Sequence, residues 1–441
     1  VYLKSSLKDE LTKAGGLQLM SGNNSGQGMG CSLWLIDFIY NKVTNRRIKK
    51  FNKQARALEE YDIISNDVLF PAISYRENII ISGGDTPERM SLCERLIQNC
   101  SNQKQAVIVL HMGNKELEQV VAKYNGVIAN NQNRTFDAFT SFDLQEICQV
   151  VLETNRTKYE IKPSGRYILE VVYKLLSSAK KLPYFSNYAE CPFYKLSDRI
   201  NDRLTKGLIT QAEADDLDSL LMMGQSESAN VEAFFNDMKS FLSHIASENT
   251  NKPYGTSVLS AIKNKKILCI DINSSANIML IELIVNSLNI AMSRGYVFTF
   301  FLDDIPITAN ELLKNALCQK SNHSNIICTN DLYALLNARD EVFSILVGEA
   351  EKTVLFSHGS HISCEMWAKY IGEYEKIEVS YNSNSGFNDS GNWSFNTNHG
   401  QQMKEKREYK VKPEELNRLY QNEAFIYDNK NGSLIQARIE L

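Results

Sequence analysis

RENIIISGGDTPERMSLCERLIQNC, residues 76–100, decides how the chain is read. Asn78 to Ser82 is a β-branched run, suited to a parallel sheet covered on both faces. Gly83 and Gly84 supply a turn. Asp85 and Glu88 stand three apart ahead of the apolar rhythm Met90, Cys93, Leu96 and Ile97, with Pro87 just inside, so a helix begins here. Strand, glycine turn and helix give the outline of a phosphate-binding loop. Against the pattern G-x-x-x-x-G-K-[ST], Gly84 takes the first glycine position, with Gly83 beside it. Arg89 takes the second, Met90 the lysine and Ser91 the hydroxyl, so only the ends match.

The 441 residues, 43% hydrophobic and 23% charged, describe an ordinary globular protein of more than one domain. A net charge of -4 gives no global basic footprint, so nucleic-acid contact has to be local or depend on partners. The nine cysteines include no C-x-x-C pair, which favours reduced, buried thiols in the cytoplasm and argues against structural zinc. No metal site is expected. His358 and His361, close together in SHGSHIS, lack a carboxylate neighbour and read as polar surface. No stretch reaches the roughly 18 to 20 apolar residues of a membrane span. Position 1 is Val, so the expectation is a cytoplasmic chain, with anchorage at the membrane left to a segment upstream.

In chain order, residues 1–65 read as a flexible lead-in followed by a helix from Trp34 to Glu60. That helix carries Arg46, Arg47, Lys49, Lys50, Lys53 and Arg56, read as a solvated face while Phe51, Ala55 and Leu58 seat it. Residues 66–163 form the first part of an α/β domain, with further strands at AVIVLH (106–111) and GVIA (126–129). Residues 164–255 lose strand character. The stripes Tyr167, Ile168, Val171, Val172, Leu175 and Phe234, Phe235, Met238, Phe241, Leu242 mark an all-helical insertion, and they read as core. Residues 256–441 resume the α/β pattern with ILCIDI, the acid-ended strand YVFTFFLDDI, SNIICT before Asn330, and TVLF. A polar loop over 382–402 follows, then a hairpin turning at Asn431-Gly432. The fold class expected is a mainly parallel sheet with helices on both faces, P-loop NTPase-like, plus an inserted all-α domain.

This order of features resembles the coupling-protein ATPases of type IV secretion systems, the TraG/TraD type among the FtsK-like motors, over roughly residues 70–441. The resemblance carries Asp303 and Asp304 to the acid pair that holds Mg2+ and polarises water, and Asn330 to a polar residue after the next strand. It implies ATP and Mg2+ as cofactors if the loop still binds them. It implies secretion-system or relaxosome proteins and DNA as partners, and ring-forming copies or active homologues as oligomer mates.

The departures are larger than the matches. Arg89 obstructs the close approach that a glycine permits. Met90 forfeits a charge-assisted contact worth about 1.5–3 kcal/mol. Asp85 and Glu88 add negative charge that opposes polyphosphate by roughly 3–4 kcal/mol per pair before screening. Losing one preorganised donor costs ~100- to 1000-fold in rate, and here several go together. The expectation is a family member without ATPase activity, acting as a scaffold or substrate receptor. Two alternatives stay open: an active DNA-translocating ATPase with a non-standard loop, and an unrelated α/β ligand- or protein-binding domain.

Overall fold

Successive residues of a strand point to opposite faces, so a strand buried on both sides serves two cores. Ile80, Ile108, Leu110, Ile270, Phe300 and Ile327 enter one core, and their neighbours Ile79, Ile81, Val107, Val109, Phe301 and Ile326 enter the other. That division holds through the computed structural model, which describes residues 30–70, 77–154, 156–247, 255–273, 277–307, 311–318, 323–385 and 397–440.

The strands are β1 (Leu58–Ser65), β2 (Ile79–Ser82), β3 (Ala106–His111), β4 (Val127–Ala129), β5 (Ile267–Asp271), β6 (Phe298–Asp303), β7 (His323–Thr329), β8 (Lys352–Leu355), β9 (Glu373–Ser385), β10 (Thr397–Tyr409), β11 (Glu423–Asp428) and β12 (Ser433–Glu440). One ten-stranded sheet has the order β1-β12-β11-β8-β2-β7-β6-β3-β5-β4. Every pair from β8 to β4 is parallel, and the hairpin β11–β12 is antiparallel within itself and to β8. The helices Thr86–Asn102 and Lys115–Lys123 supply residues to one core, and Ile278–Ser293 and His361–Ile371 supply the other. The expected fold class is the observed one.

The chain divides into two compact units. Among the described residues the smaller holds the helix Gly30–Arg56 and most of β9 and β10, which form their own two-stranded sheet. In it the Asn52 amide reads the main chain of β9, accepting from the Ile377 N–H at 2.9 Å and donating to its carbonyl at 3.0 Å. Thr44 and Ile48 are buried, whereas Arg46, Arg47, Lys49, Lys50 and Lys53 are exposed.

Three local expectations are corrected. The helix does not run to Glu60: it ends at Arg56, Ala57 takes φ +51°, and Leu58 to Glu60 begin β1, which pairs in parallel with β12. Leu58 is therefore buried as a strand residue and seats no helix. The polar stretch 382–402 is partly strand, since β9 runs to Ser385 and β10 begins at Thr397. The lead-in over residues 1–29 and the middle of that stretch, 386–396, lie outside the described residues.

Between β4 and β5, adjacent parallel strands of the large sheet, the described residues form helices and short turns with no named strand. Their apolar stripes are core, as read: Ile168, Val171, Val172, Phe234, Phe235 and Met238 are buried. Phe139 and Phe235 join Phe185 and Tyr188 in one aromatic cluster, with centroid separations of 5.5–6.1 Å. The loop after β4 is tied to the far end of the helical segment, where the chain returns toward β5. Phe136 donates to the Ile245 carbonyl and accepts from Ser247, while Asp137 donates to Thr256. The buried Asp137 carboxylate accepts from the N–H groups of Phe139 (3.0 Å) and Phe185 (3.3 Å) and from the Thr140 hydroxyl (3.3 Å). Burial raises its pKa, and those donors oppose the rise.

Removing that acceptor orphans two buried amides, so Asp137→Ala is expected to lower stability by about 2–4 kcal/mol, read as a reduced urea midpoint with far-UV CD of the native form unchanged.

Candidate functional site

Parallel pairing sets the carboxyl ends of β8, β2, β7, β6, β3 and β5 along one edge of the sheet, where open α/β sheets keep their sites. Register places Ser82 beside Leu355 and Thr329, Asp303 beside Cys328, and His111 beside both Asp303 and Asp271. Gly83, Gly84, Arg89, Met90, Asp303, Asp304 and Asn330 gather there through the bonds described below. Ser91 does not take part: it lies about 9 Å along the helix from the N-cap, and its hydroxyl accepts from the Asn66 amide at 3.0 Å.

The turn from β2 to its helix is only Gly83, Gly84 and the N-cap Asp85, because Asp85 and Glu88 form a capping box that starts the helix at Thr86. Asp85 accepts from the Glu88 N–H at 3.1 Å, and Glu88 Oε2 accepts from the Asp85 N–H at 2.8 Å. Glu88 Oε1 accepts from the Asn422 N–H at 2.5 Å, so a carboxylate expected to repel phosphate is instead a buried clasp between this turn and the loop before β11. The Gly83 N–H donates to the Thr329 carbonyl (3.1 Å) and the Gly84 N–H to the Ser357 carbonyl (2.8 Å). Pro87 has no N–H to offer.

Arg89 fills the remaining space. It is 5% exposed, and Nη1 donates to the carbonyls of Gly84 (2.7 Å) and Gly83 (3.3 Å), while Nη2 lies 3.7 Å from Asp304 Oδ2. Both glycines take positive φ, +88° and +70°. A Cβ on Gly83 would stand 2.7 Å from the His358 ring and the Ser357 carbonyl, and one on Gly84 2.5 Å from the Glu88 carboxylate. The N–H groups of Gly83, Gly84 and Asp85 are all donated to protein acceptors and the Arg89 guanidinium lies on the glycine carbonyls, so these residues do not fit a triphosphate cradled on the turn's amides.

Asp304 takes φ +52°. Its main-chain N–H donates to the Cys328 carbonyl, and its Oδ1 accepts from the Thr329 hydroxyl at 2.7 Å and the Asn330 N–H at 3.0 Å. Asp304 thus ties off the end of β7. Asp303 is buried at 3% exposure: Oδ2 accepts from the Asn114 amide at 2.7 Å, and Oδ1 has no partner among the described residues. Burial pushes its pKa up to about 6, with Asp304 adding to the rise and Asn114 and Arg89 opposing it. Met90 lies against the same amide, its sulfur 3.6 Å from Asn114 Nδ2. Among the described residues no group of three metal-capable side chains forms.

His358 is the largest correction. Far from being polar surface, it is 2% exposed and sits beneath the turn. A carbonyl can only accept, so Nδ1 donates to Phe356 at 2.8 Å and Nε2 accepts the Ser82 hydroxyl at 2.9 Å. Burial lowers its pKa, in keeping with a neutral ring. The Ser82 oxygen in turn accepts from the Leu332 N–H at 3.1 Å. His361 is exposed, 3.3 Å from Glu365. Sequence reading also missed Glu88 as a clasp, Asn114, and Asp331, which accepts the Ser363 hydroxyl at 2.6 Å. A polar residue just past the end of a buried strand was a signal for Asn114 and Asp331, whereas nothing local marked Glu88 as a clasp.

No protein-family model matches the chain, and no curated protein matches it significantly. Among solved structures it is similar to the bacterial conjugative coupling protein TrwBdeltaN70 in an unbound monoclinic form, at 14% identity over 89% of this chain and 91% of that one, with TM-score 0.52. It is also similar to the plasmid coupling protein TrwB in complex with a non-hydrolysable ATP analogue, at 13% identity, 89% and 92% coverage and TM-score 0.51. The chain therefore has the fold of a coupling-protein P-loop NTPase. No helix among the described residues is long and apolar enough to cross a membrane.

Gly84→Ala is expected to destabilise by about 2–4 kcal/mol, from a left-handed backbone and the contact with Glu88, measured by chemical denaturation. Asp303 titrates higher in the folded chain than in the unfolded one, so the folded state holds its proton longer. The resulting penalty is absent below about pH 4, grows as pH rises through about 6, and is complete above it. Asp303→Asn is expected to gain about 1–3 kcal/mol over the native chain at pH 8 and to lose that advantage by pH 4, in paired melts across the range.

Proposed function

We propose that the chain is a coupling-protein-like component of a type IV secretion or conjugative DNA transfer apparatus in which the phosphate loop has become a structural joint. It serves as an ATPase-deficient scaffold or substrate receptor. The observation that carries this reading is the occupancy of the glycine turn: Arg89 and Glu88 fill it, and the N–H groups of Gly83, Gly84 and Asp85 already donate to protein acceptors.

In this reading Asp303, Asp304 and Asn330 keep the positions of the family's acids and polar residue while their contacts serve the joint. The departure of the helical segment after β4 and its return at β5 support a coupling-protein reading over an unrelated α/β domain. Secretion-system or relaxosome proteins, DNA, and further copies or active homologues are the partners that follow from the fold's relatives. Such a chain would contribute surface and positioning to an assembly whose nucleotide chemistry is done by other subunits.

Titration of the full chain with ATP and Mg2+ is expected to give no saturable heat and no phosphate release. In donor cells lacking the gene, Asp303→Asn and Asp304→Asn variants that fold are expected to restore transfer as well as the native chain does. Micromolar ATP affinity with magnesium-dependent turnover, or failure of both folded variants, would overturn the reading.

A further inference from the structure

The helical segment holds a cleft that the strand-end joint does not use. The helix Gly165–Ser178, the chain at 187–191 and the helix Leu196–Thr205 enclose about 100 Å³. Val172, Leu175 and Leu176 line its apolar side, and Lys181, Arg199 and Arg203 bring three cations to it against the single carboxylate of Glu190. None of these four charged groups forms an ion pair among the described residues. Arg199 makes one weak contact, Nη1 to the Cys191 sulfur at 3.7 Å.

Arg199 and Arg203 stand four apart on one helix, a spacing at which like charges oppose helix formation. A surplus of two positive charges is thus concentrated in one cleft of a chain whose net charge is -4. We propose that this cleft is an anion site for a phosphate dianion, taken as free phosphate or as the end group of a phosphate monoester.

Charge and shape select that class. A phosphate monoester carries about −1.5 to −2 charges at pH 7, which matches the surplus, whereas one carboxylate would leave a cation unanswered. Guanidinium forks bind phosphate oxygens in pairs, and Arg199 and Arg203 offer two of them from successive turns. The volume is well below the ~300–1,000 Å³ of a pocket that swallows a drug-sized ligand, so the cleft admits the phosphate group and leaves any sugar or base outside. Lys181 and Arg199 are exposed and Arg203 is half-buried, so water and salt screen the attraction. Glu190 opposes the ligand and sets a ceiling on affinity.

The test is isothermal titration of the full chain with inorganic phosphate and, separately, with AMP, using chloride at equal ionic strength as the blank. Saturable binding of either is expected, weakening with salt. Equal affinity identifies the free ion as sufficient, and tighter AMP binding identifies a monoester. Arg199→Gln/Arg203→Gln is expected to weaken binding about tenfold or more, while Glu190→Gln tightens it. No binding of either ligand, or binding unchanged in an arginine double variant that melts like the native chain, overturns the proposal. So does binding shown only by a 5′-phosphorylated oligonucleotide, since that would mark a backbone-tracking surface. The arginine double variant leaves the glycine turn intact, so its effect assigns binding to the cleft independently of that turn.

Discussion

A guanidinium keeps its charge at any pH a folded protein meets, so burying one obliges the surrounding chain to supply acceptors. Arg89 imposes that obligation at the edge of the sheet. Its answer is the pair of carbonyls from Gly83 and Gly84 together with Asp304, and each answer constrains something further. The carbonyls can turn inward only because both glycines take positive φ. Their N–H groups then point away from the arginine, to Thr329 and Ser357, which fastens β2 to the ends of β7 and β8. The geometry that turns the glycine carbonyls to the arginine also commits both glycine N–H groups to protein acceptors.

Glu88 completes the arrangement from the other side. A buried carboxylate is costly unless its oxygens are met, and here each meets a main-chain N–H, one within the capping box and one from Asn422. His358 and Ser82 seal the floor with a neutral hydrogen-bonded pair. The main-chain N–H groups of the turn are thereby bonded to protein, whereas Arg89 Nε and, one row over, Asp303 Oδ1 have no partner among the described residues. That asymmetry separates a turn built as a joint from an acid whose raised pKa records incomplete solvation.

Much of this was legible in the residues. The β-branched runs marked the strands, the alternation of strand and helix gave the parallel sheet, and Asp85, Pro87 and Glu88 marked where the helix starts. Periodicity misled at Leu58, which fits the helical spacing of Phe51 and Ala55 yet follows a left-handed Ala57 that no glycine or proline announces. The partners of Glu88 and Ser82 lie 334 and 276 residues away, at Asn422 and His358, and local pattern carries no information over that distance. His358 looked like surface because its loop is polar, and its burial depends on where β8 ends beside β2. The end of the strand at Asp303 was legible, but the different settings of Asp303 and Asp304 were not, since the first is buried and the second stands 40% exposed on a left-handed residue.

Asp303 and Asp304, adjacent in the chain, rest on different supports at the sheet edge. Asp304, 40% exposed, accepts from Thr329 and Asn330 and faces Arg89, so replacing it would take from a buried guanidinium the carboxylate 3.7 Å from its Nη2. Asp303 is held differently, by Asn114, whose carbonyl oxygen caps the helix after β3. Each acid is therefore anchored to a separate element of the sheet edge, Asp304 to the end of β7 and Asp303 to the cap of the helix after β3.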